Sequence, residues 1–101
     1  MNPFGITKVS ENEFSVTEKR KNVGFITTSD DDQCIITSMV IPNDIVEQVL
    51  PVMESFIIKN GCKKSRILVD PGLRDQKLVF EKLGYSIRPY GSRSDIAEKR
   101  F

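Results

Sequence analysis

The feature that most constrains this chain is a change of hydrophobic period at residue 42. Residues 33–41 are rich in β-branched and apolar side chains, a composition suited to a pleated, buried strand. Past Pro42, residues Ile45, Val49, Val52, Met53 and Phe56 recur at i, i+4, i+7, i+8 and i+11, one face of a helix. Residues 65–70 then read as a short buried strand. A strand, a helical crossover of this length and a second strand are normally parallel and right-handed. A second helix carries Leu73, Phe80 and Leu83 on one face with Val79 beside them, and Gly84 ends it. Residues 85–90 close the unit as a short last strand. From Cys34 to Tyr85 the order is thus strand–helix–strand–helix, then a strand.

Local chemistry supports these boundaries. Asn43 is a suitable N-cap, and Asp44 complements the positive end of the first helix. Lys59 falls in its last turn and Gly61 is a ready C′ residue. Pro51 lacks an N–H and crowds the preceding turn, so a kink or a later start is expected there. Asp70 and Pro71 read as N-cap and N1 of the second helix. Upstream, residues 6–9 and 14–17 are weakly specified strands, 18–22 a charged turn and 23–28 a good strand. Ser29, Asp30, Asp31 and Asp32 then break it at a hairpin tip, where repelling carboxylates stay in water. The first part is therefore an antiparallel meander, with 33–41 at the centre of the sheet. The expected class is α/β (α+β), with a mixed central sheet. Residues 1–91 are expected to form a single domain, followed by a polar tail over 92–101 with one weak helical turn after Ser94.

Composition narrows the function. A length of 101 residues suits one core. A net charge of +1 supplies no field toward nucleic acid or an anionic membrane. The opening residues have neither a basic nor an apolar signal region, and no apolar run approaches the ~20 residues that span a bilayer. Cys34 and Cys62 lie far apart without CxxC spacing. They read as small hydrophobes or inert thiols, which implies a reducing, cytoplasmic compartment. Histidine is absent, which removes Ser-His and Cys-His catalysis, His-containing zinc sites and imidazole acid–base work. Two cysteines cannot close a zinc site, so no metal is expected. Neither a P-loop nor a dinucleotide glycine fingerprint occurs.

The order of elements and two short motifs resemble the GNAT superfamily of N-acetyltransferases. Val79-Phe80-Glu81-Lys82-Leu83-Gly84-Tyr85 is similar to that family's fYeklGF helix ending. Met39-Val40-Ile41-Pro42 falls where such proteins bind the pantetheine of acetyl-CoA through strand backbone groups. The resemblance covers residues 14–90 and implies a GNAT-like mixed sheet. By the same resemblance Met39, Val40, Ile41, Asn43 and Val46 are the cofactor-binding positions. Three departures matter. The family holds the coenzyme A pyrophosphate on a Gln/Arg-x-x-Gly-x-Gly/Ala loop at a helix N-terminus, where free N–H groups and the dipole favour an anion. Here the segment 43–48 has no glycine, no basic residue and two carboxylates, Asp44 and Glu47. A like charge at about 4 Å costs roughly 1–4 kcal/mol, which opposes a dipole benefit of similar size. The family's frequent acid, a tyrosine, is Phe80 here, which donates no proton. There is also no room between Phe4 and Phe14 for the helices that usually shape the acceptor site.

These features lead to a GNAT-like domain without acetyl transfer, serving as a protein-binding or regulatory module. The alternative is a miniature acetyl-CoA-dependent N-acetyltransferase. A nucleic-acid-associated protein would need the scattered Lys63, Lys64 and Arg66 to converge, and is not expected. The cofactor is accordingly none or acetyl-CoA, and the catalytic residues are unknown. A protein partner is expected. A homodimer is compatible with so small a domain, although no residue indicates one.

Overall fold

The computed structural model describes residues 3–31 and 34–101. Four strands, β1 (Phe4–Ser10), β2 (Glu13–Glu18), β3 (Lys21–Asp31) and β4 (Cys34–Val40), are followed by a 3-10 turn (Asn43–Ile45) and helix α1 (Val46–Lys59). Then come β5 (Lys64–Val69), α2 (Arg74–Lys82), β6 (Ser86–Tyr90) and β7 (Ser94–Arg100). They form one seven-stranded sheet in the order β1-β2-β3-β4-β5-β7-β6. The meander and the parallel β4–β5 pair match the sequence expectation. β4 is the fourth of seven strands. No helix of the described residues is long and apolar enough to cross a membrane.

Several expectations are corrected. Residues 94–100 are not part of a tail. They form β7, which inserts between β5 and β6 and pairs antiparallel with both. Its only fully buried side chains are Ile96 and Ala97, so its sequence looks polar although its backbone is interior to the sheet. The acidic segment does not break β3, which runs through Asp31 and pairs with Cys34; Asp32 and Gln33 lie outside the described residues. α1 begins at Val46 rather than beside an Asn43 cap, and it runs through Pro51 to Lys59. Its buried stripe is Val46, Val49, Leu50, Met53 and Ile57, rotated from the expected face; Ile45 and Phe56 flank it. α2 begins at Arg74, not after Asp70. Asp70 instead accepts the Gly72 N–H on Oδ1 at 2.8 Å, an Asx-type turn from the same side-chain chemistry.

Both helices end alike. After α2, the Gly84 N–H reaches the Glu81 carbonyl and the Tyr85 N–H the Phe80 carbonyl, with Gly84 at φ 95°. This is the Schellman arrangement, which requires the left-handed conformation glycine adopts without strain. The accompanying apolar contact is Tyr85 against Phe80, with ring centroids 5.5 Å apart. The Leu-Gly-Tyr motif is thus a helix stop with its own packing. α1 repeats it: Gly61 (φ 83°) bonds Ile58, and Cys62 bonds Ile57.

α1 and α2 share one core with Ile26, Met39, Ile67 and Ala97 on the same face of the sheet. The opposite face carries the in-register pair Phe25 and Val40, 55% and 71% exposed. Among the described residues no helix covers it; β1 and β2 are joined directly by the short turn at Glu11-Asn12. Gly24 is required where β3 approaches the exit of β4: a Cβ there would lie 2.7 Å from the Val40 carbonyl oxygen and collide with Ile41 Cγ2.

Cys34 and Cys62 form a disulfide with Cα atoms 6.0 Å apart, which corrects their reading as inert thiols. It ties the start of β4 to the residue that follows the α1 stop, beside Ile35 and Ile57. With the bridge present, the cysteines no longer argue for a reducing compartment.

The β2–β3 hairpin turns on Lys19 (φ 52°) and Arg20 (φ 69°), between the paired Glu18 and Lys21. Two positive φ angles define the type I′ turn, which favours Asn-Gly. Replacing Lys19-Arg20 by Asn-Gly is expected to stabilise the fold by about 1 kcal/mol, seen as a higher urea midpoint at unchanged slope.

Candidate functional site

The parallel ladder between β4 and β5 pairs only Thr37 with Ile67 and Ser38 with Leu68. β4 then stays with β3 through Val40, while β5 stays with β7 through Val69. Where the two strands part, a cleft of about 590 Å³ opens, within the range of small-molecule sites, roughly 300–1,000 Å³. Ser38 to Asn43 form one wall, and Leu68 to Asp70 the other. Leu73 and Gln76 close it from the α2 side, and Arg93 and Ser94 from the turn into β7.

Of the positions singled out in the sequence, Met39, Val40, Ile41 and Asn43 line this cleft. Val46 does not: its side chain is fully buried in the core, and its N–H is bonded to the Asn43 carbonyl. Gln76, Asp70 and Arg93 complete the polar lining. Gln76 is 5% exposed, one helical turn before Phe80 on the buried face of α2. A polar residue at i, with the core phenylalanine at i+4, was its only sequence signal. Arg93 had none, being one of many scattered cations.

The helix entrance beside the cleft has two of its amides bonded internally. Its first turn is 3-10, with the Ile45 N–H bonded to the Pro42 carbonyl at 3.2 Å and the Val46 N–H to Asn43. Two amides that an anion would use are therefore occupied, and no side chain caps the turn. Asp44 lies in that turn and Glu47 in the next. Lys82 meets Glu47 at 2.9 Å, an exposed pair of small energetic weight.

Phe80 is a core residue at 1% exposure. The nearby phenol, Tyr85, is engaged elsewhere. Its hydroxyl donates to Glu54 Oε2 and accepts from Ser65 Oγ, each at 2.8 Å. Burial holds its proton far above the usual tyrosine range; Ser65 opposes this and Glu54 adds to it. Lys99 pairs with Glu54 at 3.5 Å and lies 5.8 Å from the Tyr85 ring centre. The group is a clamp between α1, β5 and β7, with a phenol that holds its proton. Among the described residues no cluster of three metal-ligating side chains occurs.

No protein-family model and no curated protein sequence matches the chain. Solved structures do. The N-terminal domain of a ribosomal-protein-alanine acetyltransferase from Clostridium acetobutylicum superposes with a TM-score of 0.77 at 21% identity, over 100% of this chain and 93% of that one.

The fold is that of the GNAT acetyltransferases.

An acetyltransferase from Thermus thermophilus shares this GNAT fold with a TM-score of 0.72 at 14% identity, over 92% of this chain and 67% of that chain. The PaiA N-acetyltransferase from Thermoplasma acidophilum, solved with coenzyme A, gives 0.70 at 17%, over 88% and 60%. In this chain β4 and β5 part beyond Ser38, and the helix entrance is tied off by its own carbonyls.

Proposed function

We propose that the chain is a non-catalytic GNAT-fold module that binds a protein partner. The observation that carries this reading is the 3-10 entrance to α1, where Ile45 and Val46 amides are bonded internally and Asp44 and Glu47 replace a glycine-rich cradle. An anion at a helix N-terminus needs unbonded amides and no adjacent negative charge. Phe80 and the proton-retaining Tyr85 supply no general acid or base at the cleft. The partner is taken to be a protein because Phe25 and Val40 leave an apolar pair on the helix-free sheet face, the kind of patch that marks an interface.

Calorimetric titration of the whole chain with acetyl-CoA is expected to give a Kd no tighter than about 1 mM, under roughly 4 kcal/mol of binding. Micromolar binding would overturn the reading. It would favour a miniature acetyltransferase, which the intact 590 Å³ cleft at Met39–Ile41 supports. That alternative requires acetyl transfer to an amine.

A further inference from the structure

A second cleft, of about 400 Å³, lies at the opposite end of β4. Its lining is Cys34, Gly61, Cys62, Lys63, Lys64 and Arg100: the disulfide, three cations and a glycine. Gly61 leaves the wall open, since a Cβ there would meet nothing within 4 Å. Lys64 and Arg100 stand directly opposite each other on β5 and β7. Like charges in register destabilise a sheet; Glu98 meets Lys64 at 3.6 Å. The fold thus carries a local electrostatic cost next to its single disulfide.

We propose that this cleft is a thiol–disulfide exchange site for low-molecular-weight thiols bearing carboxylates, of the glutathione class. Cys62 is 6% exposed whereas Cys34 is half-buried, so the incoming thiolate attacks Sγ of Cys34. A new sulfur–sulfur bond forms to Cys34 as the Cys34–Cys62 bond breaks, and the electron pair leaves on Cys62 as a thiolate. One disulfide replaces another, and the proton released by the incoming thiol is taken up by Cys62 or by water. Lys63, Lys64 and Arg100 attract the carboxylates of the thiol. They also stabilise the departing Cys62 thiolate, and a leaving thiolate of lowered pKa departs faster. A second thiol attacking the mixed disulfide on the sulfur of the first releases the oxidised low-molecular-weight disulfide and leaves both cysteines reduced.

The test uses the full oxidised chain with glutathione, and with cysteamine as a cationic thiol of comparable reactivity. Acid-quenched intact mass follows mixed-disulfide formation, with rates normalised to thiolate concentration. Glutathione is expected to react about tenfold faster, the low end of focusing by a cleft of one charge sign. Lys63→Glu/Arg100→Glu should reverse that order, with circular dichroism confirming that the variant is folded. Lys63→Gln/Arg100→Gln serves if charge reversal unfolds the protein, and should abolish the preference. Equal rates for the two thiols in the natural chain, or a preference unchanged in the folded variants, would overturn the proposal. So would finding two free thiols in the chain purified without reductant.

Discussion

Reducing the Cys34–Cys62 bridge, or replacing both cysteines by alanine, is expected to lower stability by roughly 3–4 kcal/mol. The bridge spans a sequence separation of 28, and a loop of that size removes about this much chain entropy from the unfolded state. For a domain of this length the loss corresponds to a melting temperature lower by roughly 15 °C. The effect should fall mainly on one end of the sheet. Cys62 is tied by its amide to the end of α1 and packs with Ile57 and Ile35, apart from the larger core. Hydrogen exchange in the reduced protein should therefore accelerate at the end of α1 and the start of β4 before Met39 or Ile67 is affected. A melting temperature changed by less than about 3 °C on reduction, under 1 kcal/mol, would show that the bridge does not constrain the fold.

That bridge was not legible in the sequence, for a physical reason. A disulfide depends on where two Cα atoms arrive, here 6.0 Å apart, and neither spacing nor local composition encodes that. β7 was hidden in the same way. Asp95, Glu98 and Lys99 look like a solvated tail until their partners Lys77, Lys64 and Glu54 are in place, and those belong to α2, β5 and α1. Elements specified locally fared better. The β4–α1–β5–α2 order follows from the period change at Pro42, and both helix stops follow from Gly61 and Gly84. Where local chemistry served two structures equally, the boundary slipped. Asp70 followed by Pro71 suits a helix cap as well as the turn it makes, and α2 starts four residues after Asp70.

The candidate site divides along the same line. Met39, Val40 and Ile41 sit at the end of an apolar strand, and a strand end that leaves its parallel neighbour opens a cleft whatever the side chains are. At the helix entrance the sequence shows Asp44, Glu47 and no glycine; the structure adds the 3-10 hydrogen bonds that occupy the Ile45 and Val46 amides, which no residue pattern announced. Gln76 and Arg93 reach the cleft from α2 and from the turn before β7, so their convergence depends on the finished sheet order.

The Tyr85→Phe variant should separate the buried clamp from ordinary packing. The substitution keeps the ring against Phe80 but removes the hydroxyl shared by Glu54 and Ser65. Ser65 is fully buried and loses its acceptor, while Glu54 keeps Lys99 at 3.5 Å. Loss of a buried hydrogen bond to a charged group typically costs roughly 1.5–3 kcal/mol, to be read from the urea midpoint at unchanged slope. The pH dependence gives a second signature. In the unfolded chain the phenol loses its proton near pH 10, whereas in the fold burial and Glu54 keep it protonated well beyond that. Above about pH 10 the unfolded state therefore binds fewer protons than the native one, and stability falls as pH rises, approaching roughly 1.4 kcal/mol per pH unit from this group. Below that pH its contribution is complete. The decisive quantity is the difference between the natural chain and Tyr85→Phe. That difference should be constant up to about pH 9 and shrink between about pH 10 and 11. A constant difference across the whole range would mean that Tyr85 ionises in the fold as it does in the unfolded chain.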